Sequence, residues 1–206
     1  MRLAVTTFLS LDGVMQGPGG TDEDRSGGFD RGGWLVPFAD DDMGEAVTRW
    51  FSEADAFLLG RRTYEIFAAY WPLVTDPQDP VASRLNTFPK YVATKTRWEA
   101  GWDGTTLLTG DVVKDVRRLK DQPGRELQVH GSGELLQTLM ANDLVDEHRL
   151  FVYPVVVGGG RRLFRDGAVS KALELVEHRV TAAGVAILAY VPAGSLQQGS
   201  FELPSP

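Results

Sequence analysis

The chain has 206 residues, a formal net charge of −7 and no cysteine. That length suits one domain able to bury a full core unaided, and the missing cysteine excludes disulfides, thiolate zinc sites and a cysteine nucleophile. With no basic excess to drive counterion release, binding along a nucleic-acid backbone is disfavoured; basic spots at Arg61-Arg62, Lys95/Arg97 and Arg161-Arg162 suit a small anionic ligand instead.

Residues 2–8 are apolar and β-branched, a buried first strand ended by Ser10-Leu11-Asp12-Gly13. The run is too short, and too soon broken by Asp12, for a signal peptide or membrane span, so a cytoplasmic protein with no membrane partner is expected. Residues 16–33, rich in Gly and Asp, form a long loop of the kind that is functional or mobile. Residues 41–52 set Met43, Val47, Trp50 and Phe51 at helical spacing, with Asp40, Asp41 and Asp42 placed to cap them. A strand at 54–59 precedes a short helix at 63–69, ended near Trp71-Pro72, and a loop at 76–80. Residues 89–94 and 105–108 read as strands, and 112–119 as a helix whose basic last turn suits its dipole. A strand at 127–130, a helix at 133–141 and a buried strand at 147–157 follow. Residues 173–180 and 185–191 flank Thr181-Ala182-Ala183-Gly184 as a terminal β-hairpin. The single domain covers 1–191; the Pro-, Gly-, Ser- and Gln-rich stretch 192–206 reads as a disordered tail. Alternating strands and helices predict an α/β fold: a mostly parallel central sheet, helices on both faces, and a C-terminal antiparallel hairpin.

Two glycine turns stand at strand ends and open helices. Gly60-Arg61-Arg62-Thr63 puts two cations where a helix dipole disfavours them, a conflict that an anionic partner would remove. His130-Gly131-Ser132-Gly133-Glu134 could cradle a pyrophosphate, or could be an ordinary turn; it lacks the third glycine of a Rossmann fingerprint. Thr94-Lys95-Thr96-Arg97 ends another strand with two hydroxyls and two cations, fit for the extra phosphate of NADPH or simply solvated. Gly158-Gly159-Gly160 lets backbone approach a ligand or makes a flexible turn. His130 is a candidate acid or base beside the reading of a satisfied strand-end residue. The three histidines do not group at ligand spacing, so no metal is expected. Trp34, closing the long loop, is the candidate for stacking on a flat substrate ring. Ligands on such sheets bind at the strand carboxyl ends, where all these polar segments fall.

Taken in order, Ser10-Leu11-Asp12-Gly13, Gly60-Arg61-Arg62-Thr63-Tyr64-Glu65, Ala93-Thr94-Lys95, His130-Gly131-Ser132-Gly133-Glu134-Leu135, Val145-Asp146-Glu147 and the segment from Pro154 to Phe164 resemble the dihydrofolate reductase-like superfamily. More specifically they resemble the reductase domain of the bifunctional riboflavin-biosynthesis deaminase-reductase and its stand-alone relatives. The resemblance implies a three-layer α/β/α fold and hydride transfer from NADPH to a pyrimidine- or pterin-type small molecule. A phosphoribosylamino-uracil is the first substrate choice, dihydrofolate or a pterin the second, and a non-catalytic nucleotide-binding dimer the third. It implies that Arg61, Arg62 and Thr63, with Gly60, meet the cofactor phosphates and that Thr94 and Lys95 hold the adenosine 2′-phosphate. It gives the pyrophosphate to Gly131, Ser132, Gly133 and Glu134, and sets the nicotinamide near Ser10 and Gly13. Trp34, Asp12 and Arg161 are the substrate candidates, and Asp12 and Glu45 the candidate proton donors, with Asp42 the other acid on that helix. Arg162 and Arg165 join Arg161 as candidates for a substrate phosphate. Family members are commonly homodimers. The zinc deaminase half needs cysteines that this chain lacks.

Overall fold

The computed structural model describes residues 1–201. The last residues of the predicted tail, 202–206, lie outside the described residues.

Five parallel strands form the frame: β1 (Arg2–Ser10), β2 (Ala54–Gly60), β3 (Lys90–Ala93), β4 (Thr105–Leu108) and β5 (Glu126–His130). A sixth parallel strand, β6 (Glu147–Tyr153), pairs with β1, and the antiparallel β7 (Leu173–Val180) and β8 (Ala186–Pro192) close the sheet. The spatial order is β4-β3-β2-β5-β1-β6-β8-β7. The chain therefore does not lay its strands down in sequence. β5 inserts between β2 and β1, so segments more than a hundred residues apart become neighbours. β8 extends through Pro192, and the Ala193 N–H donates to the Ala172 carbonyl, which carries ordered chain past the predicted domain end.

The helices are α1 (Asp41–Phe51), α2 (Arg61–Tyr70), α3 (Pro80–Thr87), α4 (Val112–Lys120) and α5 (Gly133–Ala141). Strand alternation sends Leu3, Val5, Leu58, Leu127 and Val129 to one face, where Val116 and Leu119 of α4 and Leu136 and Leu139 of α5 cover them. Phe57, Leu59 and Val92 leave the other face and meet Phe51, Tyr64 and Leu85 from α1, α2 and α3. The expected helix-sheet-helix layering is thus present. Helix α3 was not foreseen: the loop reading ran to Pro80, but Asp79 accepts from the Val81 and Ala82 N–H groups and Pro80 occupies the first helical position, where a missing N–H costs nothing. The predicted strand at 147–157 stops at Tyr153, before Pro154.

Helix starts divide into two kinds. Asp40, Asp79 and Asp111 cap α1, α3 and α4 through their side chains. Helices α2 and α5 have no side-chain cap, and their first-turn amides are left facing the carboxyl-end rim of the sheet.

Candidate functional site

The parallel strands end on one rim, and there a cleft of about 1580 Å³ opens. Ligand pockets commonly measure about 300–1,000 Å³, so this volume accommodates two molecules side by side. One half is polar and carries charges of both signs. The other is apolar.

The polar half is built from the two glycine turns, which are latched together. The Gly60 N–H donates to Ser132 Oγ at 2.9 Å, the Ser132 N–H donates to Thr63 Oγ1 at 3.0 Å, and the Ser132 hydroxyl donates to the His130 carbonyl at 2.8 Å. Ser132 therefore joins the turns and does not cap α5. Gly131 and Ser132 both take left-handed backbone, at φ 54° and 57°. A Cβ on Gly131 would lie 3.2 Å from Thr63 Oγ1, so the second turn approaches the first as closely as glycine permits. Two uncapped helix N-termini then share one cavity wall, an arrangement suited to several anionic oxygens.

Arg61, Arg62, Thr94 and Lys95 line this half, with Gly60, Thr63, Gly131, Ser132, Gly133 and Glu134. Arg61 is held by Glu65 at 2.7 Å and Thr96 at 3.0 Å and lies over the Trp98 ring. The long loop closes the other side: Ser26 Oγ accepts from Arg62 and from Arg161, each at 2.7 Å, while Asp24 forms an ion pair with Arg161 and stands 3.8 Å from Arg62. The Glu134 carboxyl is held below its usual range by its hydrogen bond to Arg165. Its charge is thus spent on that arginine, and the contribution of this residue to an anion site is its backbone amide.

The apolar half lies where α1 faces the second half of α2. Met43, Val47, Trp50 and Phe51 come from α1, Ile66, Phe67 and Tyr70 from α2, and Trp71 and Val81 from the segment beyond. Its floor is Thr6 and His130, register partners on the adjacent strands β1 and β5. His130 stacks on Phe51 with ring centroids 4.5 Å apart. Its tautomer is fixed from below. The Gln128 amide donates to the Trp50 carbonyl at 2.6 Å and to Glu126 at 2.8 Å, which spends both its hydrogens. Gln128 Oε1 then accepts from His130 Nε2 at 3.2 Å, so Nδ1 is the unprotonated nitrogen. Glu126 is in turn fixed by Arg149, itself fully buried. Burial, with Arg149 adding to it, pushes the His130 imidazole down to about 3. His130 is neutral near pH 7 and has no proton to give as an acid.

Ser10, Asp12, Gly13, Trp34 and Glu45 lie outside the cleft lining, as do Asp42, Arg162 and Arg165. Asp12 is a clamp: its carboxylate accepts from the Ser10 hydroxyl at 2.7 Å and from the Val157 and Gly158 N–H groups at 3.0 and 2.9 Å, and pairs with Arg162. Those bonds, Ser10 first, hold its carboxyl well below the usual carboxylate range. Ser10 is buried, spending its hydroxyl on Asp12 and on the Val14 N–H, and Gly13 sits in the same turn. Trp34 is a core residue, its indole N–H donating to the Gln16 carbonyl and its ring set edge-on to Tyr153. Glu45 lies beside Arg179 of β7, as does Asp42. Gly160, the last of the triple glycine, is structural as well: a Cβ there would lie 2.9 Å from the Phe29 ring. Thr6, Gln128, Asp24 and the aromatic wall from α1 and α2 were not singled out from the sequence. Only the helical spacing of Trp50 and Phe51 hinted at the wall.

The model of a protein family described as the RibD C-terminal domain matches residues 2–187. The chain is 29% identical to the uncharacterized protein YyaP of Bacillus subtilis (strain 168), over 92% of this chain and 94% of that protein. A solved structure from Shewanella sp. PV-4, assigned to riboflavin biosynthesis, superposes with a TM-score of 0.70 at 23% identity, covering 93% of this chain and 99% of that one. The dihydrofolate reductase of Enterococcus faecalis, solved with NADP(H), superposes with a TM-score of 0.59 at 13% identity, covering 93% and 96%. The likeness in both structures is one of fold.

Proposed function

Because the chain belongs to the RibD C-terminal domain family, we propose that it is an NADPH-dependent reductase acting on a pyrimidine- or pterin-type substrate. One observation carries this reading: Arg61, Lys95 and Ser132, from three different strand-end segments, line one cleft whose wall is two uncapped helix N-termini. Had they faced separate surfaces, no single dinucleotide could have touched all three.

The residues fit the cofactor. First-turn amides of α2 and α5 suit a pyrophosphate, Arg61 and Arg62 add charge, and Lys95 with Thr94 suits a 2′-phosphate at the end of β3. When bound, NADPH supplies a hydride, two electrons and one hydrogen nucleus, to an electron-poor carbon of a C=N or C=O bond; one proton on the heteroatom completes the reduction. The chain's part is to hold the ring between the aromatic walls of α1 and α2 and to exclude bulk water. Asp12 and Glu45 lie outside the cleft lining and His130 is neutral, so none of these three supplies the proton in this reading. The homodimer implied by the resemblance would cover β7, an edge strand exposed along its length with Leu175, Val176 and Val180 outward.

The test is fluorescence titration with NADPH and NADH, followed by turnover on a panel of pyrimidines and pterins. Tight NADPH binding with turnover supports the proposal. Binding without turnover on any ring would make this a nucleotide-binding protein that kept the fold, and no binding would end the reading.

A further inference from the structure

The apolar half of the cleft is specific about charge. The wall residues named for this half are uncharged, while the charged residues that α2 brings to the cleft, Arg61, Arg62 and Glu65, sit in its first half. Of the arginines considered for a substrate phosphate, Arg162 pairs with Asp12 and Arg165 with Glu134, both outside the cleft lining, and Arg161 stands with Asp24 and Ser26 on the polar side. A phosphate set against the aromatic wall itself would lose water and meet no cation there.

The same surface holds two polar groups without partners. Thr6 is 5% exposed, and its Oγ1 is buried with no hydrogen bond among the described residues. His130 is equally buried; Gln128 takes its Nε2 proton, and among the described residues Nδ1 has no partner. Thr6 and His130 are register partners on adjacent parallel strands, so both side chains leave the same face, side by side. One offers a fixed acceptor. The other offers a rotatable O–H. Buried polar atoms such as Thr6 Oγ1 are normally satisfied, and beside the acceptor of His130 this one invites a ligand edge bearing a donor next to an acceptor.

We propose that this end of the cleft recognises an uncharged, unphosphorylated cyclic amide, its ring N–H donating to His130 Nδ1 and its neighbouring carbonyl accepting from Thr6 Oγ1. The inference rests on the reductase reading for its role, but not for its binding. It narrows the substrate to flat lactam heterocycles of the pyrimidinedione or pteridinone kind that carry no phosphate. It turns the family's phosphoribosyl precedent into the competing case.

Calorimetry on the purified protein, with and without NADP⁺, would compare three probes: 5,6-diaminouracil, its 1,3-dimethyl derivative, and 5-amino-6-(5-phosphoribosylamino)uracil. The expected order puts diaminouracil at least level with the phosphorylated compound and at least ten-fold tighter than the dimethyl compound. Thr6→Val and His130→Phe should each shrink the preference for N–H over N–CH₃ to less than three-fold. Thr6→Val is nearly isosteric and keeps the test alive if His130→Phe fails to fold. Tighter binding of the phosphorylated compound by ten-fold, equal binding of the dimethyl compound, an unchanged preference in Thr6→Val, or no binding of any probe would overturn the proposal. Failure of NADPH to bind while diaminouracil binds as described would instead overturn the reductase reading alone.

Discussion

The Gly60 amide and the Ser132 hydroxyl, 72 residues apart in the chain, meet at 2.9 Å and tie the start of α2 to the start of α5. The cradle proposed for the cofactor is therefore one assembled unit and not two independent turns. Replacing Ser132 by Ala removes this bond and the one to the His130 carbonyl, and should lower stability by about 1–3 kcal/mol and raise the NADPH dissociation constant. Ser132→Gly also loses both bonds but relieves the left-handed backbone, worth about 1–2 kcal/mol. It should be the more stable variant and bind NADPH just as poorly. Chemical denaturation read beside cofactor titration separates the two effects. If Ser132→Gly bound NADPH as tightly as wild type, the latch would have no part in the site.

Lys95 stands just beyond the carboxyl end of β3, on the polar side of the cleft, and in the proposed reading it carries the discrimination between the two dinucleotides. A charge-assisted hydrogen bond contributes about 1.5–3 kcal/mol, roughly ten- to a hundred-fold in affinity. Lys95→Gln should therefore weaken NADPH by that factor and leave NADH nearly unchanged. Fluorescence titration of both cofactors checks it, and a parallel loss for each would move the 2′-phosphate away from Lys95.

Much of this arrangement is legible in the sequence where the signal is local. The Gly60 and Gly131 turns announce themselves because strand, glycine and helix follow one another within a few residues. What stayed hidden depends on strand order. Thr6 and His130 become neighbours only because β5 inserts beside β1, and nothing within either segment says so. Asp12 and Trp34 are polar or aromatic residues in loops near the site, which is why they read as functional. Their side chains turn inward to hold Val157, Gly158 and Gln16, a choice made by tertiary contacts. Helix α3 had its signal in Asp79-Pro80, but eight residues without a strong apolar stripe leave little else to read.

Asp12 makes a prediction of its own. Its carboxylate accepts two backbone N–H groups of the 157–158 loop, so Asp12→Asn must turn an NH₂ toward one of them. The loss should be about 1–3 kcal/mol. Its native pKa lies below the unfolded value of 3.8, so the native state resists protonation. The clamp's stabilisation is complete above that value and fades as the pH falls through the range beneath it. Wild type should lose stability there faster than Asp12→Asn does. Matching acid profiles for the two proteins would show that the carboxylate charge does not matter to the fold.

His130 predicts a pH dependence at higher pH. Burial lowers its pKa from 6.5 to about 3, so between those values the unfolded chain binds a proton that the native state refuses. Stability therefore rises with pH across this window, is complete above 6.5, and falls as the solution is acidified. One such group gives a slope of at most about 1.4 kcal/mol per pH unit. His148, also lowered by burial, acts in the same direction, while Glu23, raised by burial, acts against them. A difference between two proteins isolates the His130 contribution. Urea denaturation from pH 7 to pH 5 should show His130→Phe less stable than wild type at pH 7 and less sensitive to acid, its slope smaller by about one proton. Equal slopes would mean that His130 titrates normally in the folded protein. Its Nδ1 would then carry a proton below pH 6.5 and could not serve there as a fixed acceptor.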